Sequence, residues 1–406
     1  GDGVTDIAVG AYGDQTGATS NGAVYIMFMN PNGTLKSTAK IDDSTANGPE
    51  LQGSVDHFGY SVANMGDRDD WDGEDGIVLA VGAHGNDSED GFPIGDYTGA
   101  VYIMFIDTDG TIDRTEKIDD SNAPLALVNS DSFGFSVANI GDLDGDGVTD
   151  IAVGAVHDDG EGIGSLANRG ALHIMFMNPN GTLKSTEKID DSTSNGPTLA
   201  DGDLFGVSVA KIADRDDWDG EDGIVLAVGM ADALHIMFMD TDGTIDRTVE
   251  INSSTSNGPT PSDGEFFGYA VANMGDLDGD GVTDIAVGAQ GDDTGGTNRG
   301  TVYIMFMNTN GTPKSTEEIN NSTANGPELA DIDLFGISIA TGDLDNDGVN
   351  DIIVGAFGDD TDANGDPNGT SRGAVYIMFM GDIIPSQVGT VTPTPGNTQV
   401  ALSWSA

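Results

Sequence analysis

An apolar hexapeptide recurs six times along the chain, and no other feature restricts the fold so tightly. Val24–Met29 reads VYIMFM, and close variants follow at Val101–Ile106, Leu172–Met177, Leu234–Met239, Val302–Met307 and Val375–Met380. A Phe-Gly pair precedes all but the first: Phe58-Gly59, Phe133-Gly134, Phe205-Gly206, Phe267-Gly268 and Phe335-Gly336, spaced by 75, 72, 62 and 68 residues. Between each pair and its hexapeptide lie an acidic loop and a Val-Gly-Ala or close variant, as at Val81-Gly82-Ala83 and Val153-Gly154-Ala155. A unit repeated at such a period cannot bury its apolar face alone and must stack on its neighbours. A longer period overlies the first. Asp107–Thr115 returns as Asp240–Thr248, and Asn30–Thr38 as Asn178–Thr186, as if a two-unit block had been duplicated.

Each unit reads as four short strands. The first follows Phe-Gly, as in Tyr60–Asn64, where large and small residues alternate. The second is the Asp150–Ala155 type, and the third is the hexapeptide, apolar throughout and therefore buried on both faces. The fourth is polar, as in Leu35–Asp42, entered by an Asn-Gly turn and suited to an exposed edge. No segment carries a sustained helical period. Six such units predict an all-β fold, a β-propeller of four-stranded antiparallel blades at about residues 1–50, 51–125, 126–198, 199–260, 261–328 and 329–381. The first blade lacks its opening strand and the last its closing one, so 22 strands are expected, with a gap between those two blades. An upstream segment is expected to supply the two others. A seventh blade would need roughly 65 further residues at this repeat spacing.

The acidic loops carry the chemistry. Asp142–Asp150 (DLDGDGVTD) has carboxylates at positions 1, 3, 5 and 9 and Gly at 6; Asp276–Asp284 matches it, and Asp343–Asp351 matches with one Asn. Gly1–Asp6 is the end of another copy. A hard cation such as Ca²⁺ takes six to eight oxygens, and alternate carboxylates on a turning loop, with one mid-loop carbonyl, converge to provide them. The candidate ligands are Asp142, Asp144, Asp146, Val148 (carbonyl) and Asp150; Asp276, Asp278, Asp280, Val282 (carbonyl) and Asp284; Asp343, Asp345, Asp347, Val349 (carbonyl) and Asp351; with Asp2 and Asp6 as a partial set. Two longer variants offer Asp67, Asp69, Asp72 and Asp75, and Asp214, Asp216, Asp219 and Asp222, in an uncertain register. Asp-Gly clusters also form ordinary turns, but three full copies in register favour metal.

Charge narrows the partners. With 69 acidic and 14 basic side chains the net charge is −55, which repels nucleic-acid phosphates and anionic lipid heads. There is no Cys, so disulfides and thiolate chemistry are excluded. No apolar run approaches the ~20 residues that span a bilayer. His57, His84, His157, His173 and His235 share no spacing and read as structural, and no nucleophile–base pair stands out.

Phe-Gly, DxDxDGxxD, Val-Gly-Ala and Gly-Ala-Val-Tyr together resemble the FG-GAP repeat of integrin α-subunit propellers and of many secreted microbial proteins. The resemblance covers residues 1–381, although the Pro that often ends the family's Gly-Ala-Pro is missing in every copy. It implies several Ca²⁺ ions in the loops joining the first and second strands, an extracellular or cell-surface setting, and non-catalytic adhesion or recognition of a protein or glycan ligand. The alternatives are a carbohydrate-binding propeller, an accessory domain of a secreted enzyme, or a structural spacer. Residues 382–391 read as a linker, and 392–406, with Trp404, resemble the start of a fibronectin type III domain.

Overall fold

The computed structural model describes the chain except for residues 1–3, 15–20, 31–33, 52–55, 87–96, 129, 160–166, 263, 325, 346, 360–372 and 382–406. The expected linker and fibronectin-like segment lie outside the described residues. Among those residues, 22 strands form six antiparallel sheets, one per blade of a six-bladed β-propeller. Blade 1 holds β1 (Ile7–Ala11), β2 (Ala23–Met29) and β3 (Leu35–Ile41). Blade 2 holds β4 (Ser61–Asp67), β5 (Gly76–Ala83), β6 (Ala100–Asp107) and β7 (Ile112–Ile118). Blade 3 is β8 (Phe133–Gly141), β9 (Asp150–Ala155), β10 (Ala171–Met177) and β11 (Leu183–Ile189). Blade 4 is β12 (Ser208–Asp214), β13 (Ile224–Met230), β14 (Ala233–Met239) and β15 (Ile245–Asn252). Blade 5 is β16 (Phe267–Gly275), β17 (Asp284–Ala289), β18 (Thr301–Met307) and β19 (Pro313–Ile319), and blade 6 is β20 (Phe335–Gly342), β21 (Asp351–Ala356) and β22 (Ala374–Met378).

Burial follows the sequence pattern. Every residue of β10, β13 and β14 is buried, whereas β11 and β15 alternate toward solvent. The first strands β4, β8, β12, β16 and β20 pack side by side around the axis, and the polar fourth strands form the rim. The Phe of each Phe-Gly is fully buried, and its ring meets the Tyr or His of its own blade's third strand edge-on, as Phe58 meets Tyr102 and Phe133 meets His173. His173 and His235 are thus core substitutes for Tyr, as the sequence suggests.

The two glycine motifs are one contact between blades. Gly134 sits at φ +86°, and a Cβ on Gly82 would lie 1.9 Å from its carbonyl oxygen. Only Gly at both places lets the backbones of adjacent blades approach so closely. Ser61, Ser136 and Ser208 each donate a hydrogen bond to the Phe-Gly carbonyl of the following blade, at 2.9, 2.7 and 2.7 Å. In blades 3, 5 and 6 the Phe-Gly pair lies inside the first strand, followed by a register shift, rather than before it as the sequence suggests. The left-handed Gly makes that bulge. The first and last blades are three-stranded, as expected, and no strand of one pairs with a strand of the other among the described residues, while the rings of Tyr12 and Phe357 stack across that seam at 6.0 Å.

Candidate functional site

The strand directions separate two sets of residues. Within a blade the first strand runs from Phe-Gly to the acidic loop, and the second returns to Val-Gly-Ala; Phe133 pairs with Ala155 at one end and Gly141 with Asp150 at the other. The acidic loops therefore share one face of the disc, and whatever follows Phe-Gly and Val-Gly-Ala shares the opposite face.

In blade 3 the loop folds over its own first carboxylate. Asp142 accepts the backbone N–H groups of Gly145, Asp146 and Gly147 at 2.8, 3.0 and 2.8 Å, and Asp146 accepts that of Val148 at 3.0 Å. Oxygens of Asp142, Asp144 and Asp146 lie within 4.8 Å of one another. Asp276 holds Gly279, Asp280 and Gly281 in the same way in blade 5, where Asp276, Asp278 and Asp284 group together. In blade 6 Asp343 holds Asp347 and Gly348, and the group is Asp343, Asp345 and Asp347. Val148 and Val282 bury their side chains beneath their loops. These are hard, all-oxygen donor sets, so the residues fit Ca²⁺ or a similar cation.

The ninth-position carboxylates behave differently from the rest. Asp150 accepts the N–H of Leu143 and of Met177, both at 2.9 Å, and so ties the loop to the end of the third strand. Asp284 does this to Leu277 and Met307, Asp351 to Leu344 and Met380, and Asp6 accepts from Met29. Asp2 lies outside the described residues. Burial pushes Asp150 and Asp284 up to about 6, and raises Asp351. A rim lysine faces two of the loops. Lys184 Nζ is 2.6 Å from Asp144 and 2.5 Å from Asp146, and Lys314 pairs with Asp278 and Asp280.

The longer loops of blades 2 and 4 are built otherwise. Each forms a short helical turn, Arg68–Asp70 or Arg215–Trp218, where no helical structure is expected from the sequence. The turn carries an arginine inward. Arg68 is 3% exposed and pairs with Asp72 at 3.0 Å, Asp107 at 2.5 Å and Asp113 at 2.9 Å; Arg114 also pairs with Asp72, at 2.6 Å. Arg215 does the same with Asp219, Asp240 and Asp246, and Arg247 joins Asp219. Arg114 and Arg247 lie 3.5 and 3.1 Å over the rings of Phe105 and Phe238. Asp72 and Asp219 thus turn to arginine. Asp67, Asp69, Asp75 and Asp222 are exposed, and Asp214 and Asp216 group with Asp217 instead.

The opposite face gathers rings. Tyr60, Phe135 and Tyr269 follow Phe-Gly, while Tyr12, His84 and Phe357 follow Val-Gly-Ala. Tyr60 contacts Tyr12, His84 and Phe135 at centroid distances of 5.1, 4.3 and 4.5 Å, and its hydroxyl lies 3.4 Å from that of Tyr269 across the axis. His57 packs on His84 at 4.8 Å, and Phe266 and Phe357 stand 41% and 47% exposed at the edges. Burial, with His57 and His157 nearby, pushes His84 down to about 3, so it is neutral at pH 7. Neither His84 ring nitrogen nor His57 Nδ1 has a hydrogen-bond partner among the described residues. Sequence reasoning treated the histidines singly and missed this cluster.

With both faces described, comparison with known proteins places the repeat. The FG-GAP repeat matches at residues 133–175, 267–305 and 335–378, three of the units whose acidic loops are described above. The chain is similar to integrin alpha-V of Gallus gallus, 31% identical over 268 residues, covering 60% of this chain and 22% of that protein. It is also similar to integrin alpha-PS5 of Drosophila melanogaster, 31% identical over 161 residues (39% and 15% of the two chains), and to integrin alpha-5 of Xenopus laevis, 41% identical over 98 residues (23% and 9%). The chain spans less than a quarter of the length of each of these relatives. Among the described residues, no helix is long and apolar enough to cross a membrane.

Proposed function

We propose that this is a Ca²⁺-stabilised, non-catalytic propeller of an extracellular or cell-surface protein, which recognises a protein or glycan ligand through its aromatic face. The observation that carries the reading is the gathering of rings from five blades on the face opposite the carboxylate loops. Flat rings offer large contact area at little conformational cost. The similarity to integrin alpha chains supports recognition as the task. The loops of blades 3, 5 and 6 would hold the ions, with carboxylates whose mutual repulsion a cation relieves.

A binding panel of neutral glycans and protein ligands tests the reading, run with wild-type chain, Phe266→Ala and Phe357→Ala. Both positions are exposed, so folding should survive. Binding that both substitutions weaken supports the aromatic face. A ligand that binds unchanged to both would move recognition elsewhere, and turnover of a ligand abolished by a point substitution would overturn the non-catalytic reading. Glycan hits alone would favour the carbohydrate-binding alternative.

A further inference from the structure

We infer that Arg68 and Arg215 are resident cations: each guanidinium neutralises from within the three carboxylates that converge on it, so those carboxylates of blades 2 and 4 take no metal ion. The inference rests on the Ca²⁺ reading for the other blades, but its arginine half stands on contacts alone. Three observations carry it. First, the carboxylates that meet Arg68 come from three separate places: the loop (Asp72), the end of β6 (Asp107) and β7 (Asp113). A blade thus spends its acid groups on the guanidinium from several elements, as it would on an ion. The arrangement repeats in blade 4 with Asp219, Asp240 and Asp246.

Second, the residue that ties the loop down elsewhere is gone. Asp150 stands three residues before Val153, and the same position before Val81 holds Val78, which is fully buried. Strand pairing simply continues in its place, through Ile77–Ile106 and Gly76–Asp107. Blade 4 likewise continues through Val225–Phe238 and Ile224–Met239. Third, the arginines cannot leave. Arg68 and Arg215 are 3% and 4% exposed in their side chains, whereas Lys184 and Lys314 at the full loops are 39% and 37% exposed. A lysine on the rim can swing away from an arriving ion. A buried guanidinium with forked hydrogen bonds to its partners is fixed, and it is charged at any physiological pH.

Equilibrium dialysis with radioactive Ca²⁺ on the whole chain decides the metal half. Asp144→Asn should lower the number of bound ions by one, while Asp72→Asn and Asp219→Asn should leave it unchanged. Loss of an ion on substituting Asp72 or Asp219 overturns the inference. If the wild-type chain binds no Ca²⁺, the proposed function fails in its metal part, and the arginine half is then judged in EDTA. There Arg68→Gln should lower the melting temperature and Arg68→Lys should restore part of the loss. An Arg68→Gln melting temperature equal to wild type in EDTA would overturn the resident-cation role.

Discussion

Blades 3 and 2 close their acidic ends in two ways. In blade 3 three carboxylates lie within 4.8 Å, and the cation at hand is the half-exposed ammonium of Lys184. In blade 2 the carboxylates surround a buried guanidinium supplied by the loop itself. An exposed ammonium is heavily screened and stabilises little. A buried guanidinium is covalently present and cannot be chelated, though removing it strands its partners. On the proposed reading, the same fold position would respond to solution ions in one blade and be indifferent to them in the next.

Chelation should have the largest effect and tests the contrast most directly. At a free Ca²⁺ concentration a hundredfold above Kd, each occupied loop adds about 2.7 kcal/mol. EDTA should therefore lower the melting temperature markedly, and hydrogen exchange should quicken in blades 3, 5 and 6 before blades 2 and 4. Equal loss of protection in all blades would erase the distinction. Next in size is Arg68→Gln. Asp107 and Asp113 are 46% exposed, so the cost should fall below that of a fully buried pair, at about 2–3 kcal/mol in urea unfolding. Lys184→Gln, measured alongside without Ca²⁺, should leave the urea midpoint nearly unmoved.

Asp131 sharpens the contrast from the other side, as a carboxylate without a guanidinium. It is 2% exposed, and burial together with the Asp158 charge pushes it up to about 7. Its folded-state value lies above the unfolded one. The stability it contributes is therefore full below about pH 4 and lost as the pH rises through 7. Asp131→Asn should gain about 1–2 kcal/mol at pH 8 and much less at pH 5, by urea unfolding at both. A gain equal at the two pH values would show that packing, not charge, is responsible. The smallest effect is expected from Lys184→Met, which removes a competitor of the arriving ion. It should tighten Ca²⁺ binding at one loop roughly severalfold, seen by calorimetry; weaker binding would make Lys184 a supporting residue.

Much of the architecture is legible in the repeats because each motif has one physical job. Phe-Gly and Val-Gly-Ala can recur only where backbones of neighbouring blades touch, and the apolar hexapeptide only where sheets cover both faces. The full loops are legible for the same reason, since carboxylates at positions 1, 3 and 5 converge wherever the turn is kept. Two things are hidden by reading motifs one at a time. The role of Arg68 depends on Asp107 and Asp113, about 40 residues away, and only the duplication of both segments links them. With 14 basic residues in the whole chain, an arginine placed identically in two loops is the signal. The aromatic face is spread over residues that follow the motifs, such as Tyr60 and Phe135, and it emerges only when the repeats are read column by column.

The joint between blades also sets an order of events during synthesis. Gly170, at the threshold of β10, bridges to Phe205, and that ring packs in one cluster with Leu172 and Ile174. The third strand of blade 3 is therefore finished only by a residue made 35 positions later. At about 5–20 residues per second the ribosome needs roughly 2–7 s to supply it. A sheet emerging from the ribosome thus has its apolar face uncovered until the opening of its successor has been made.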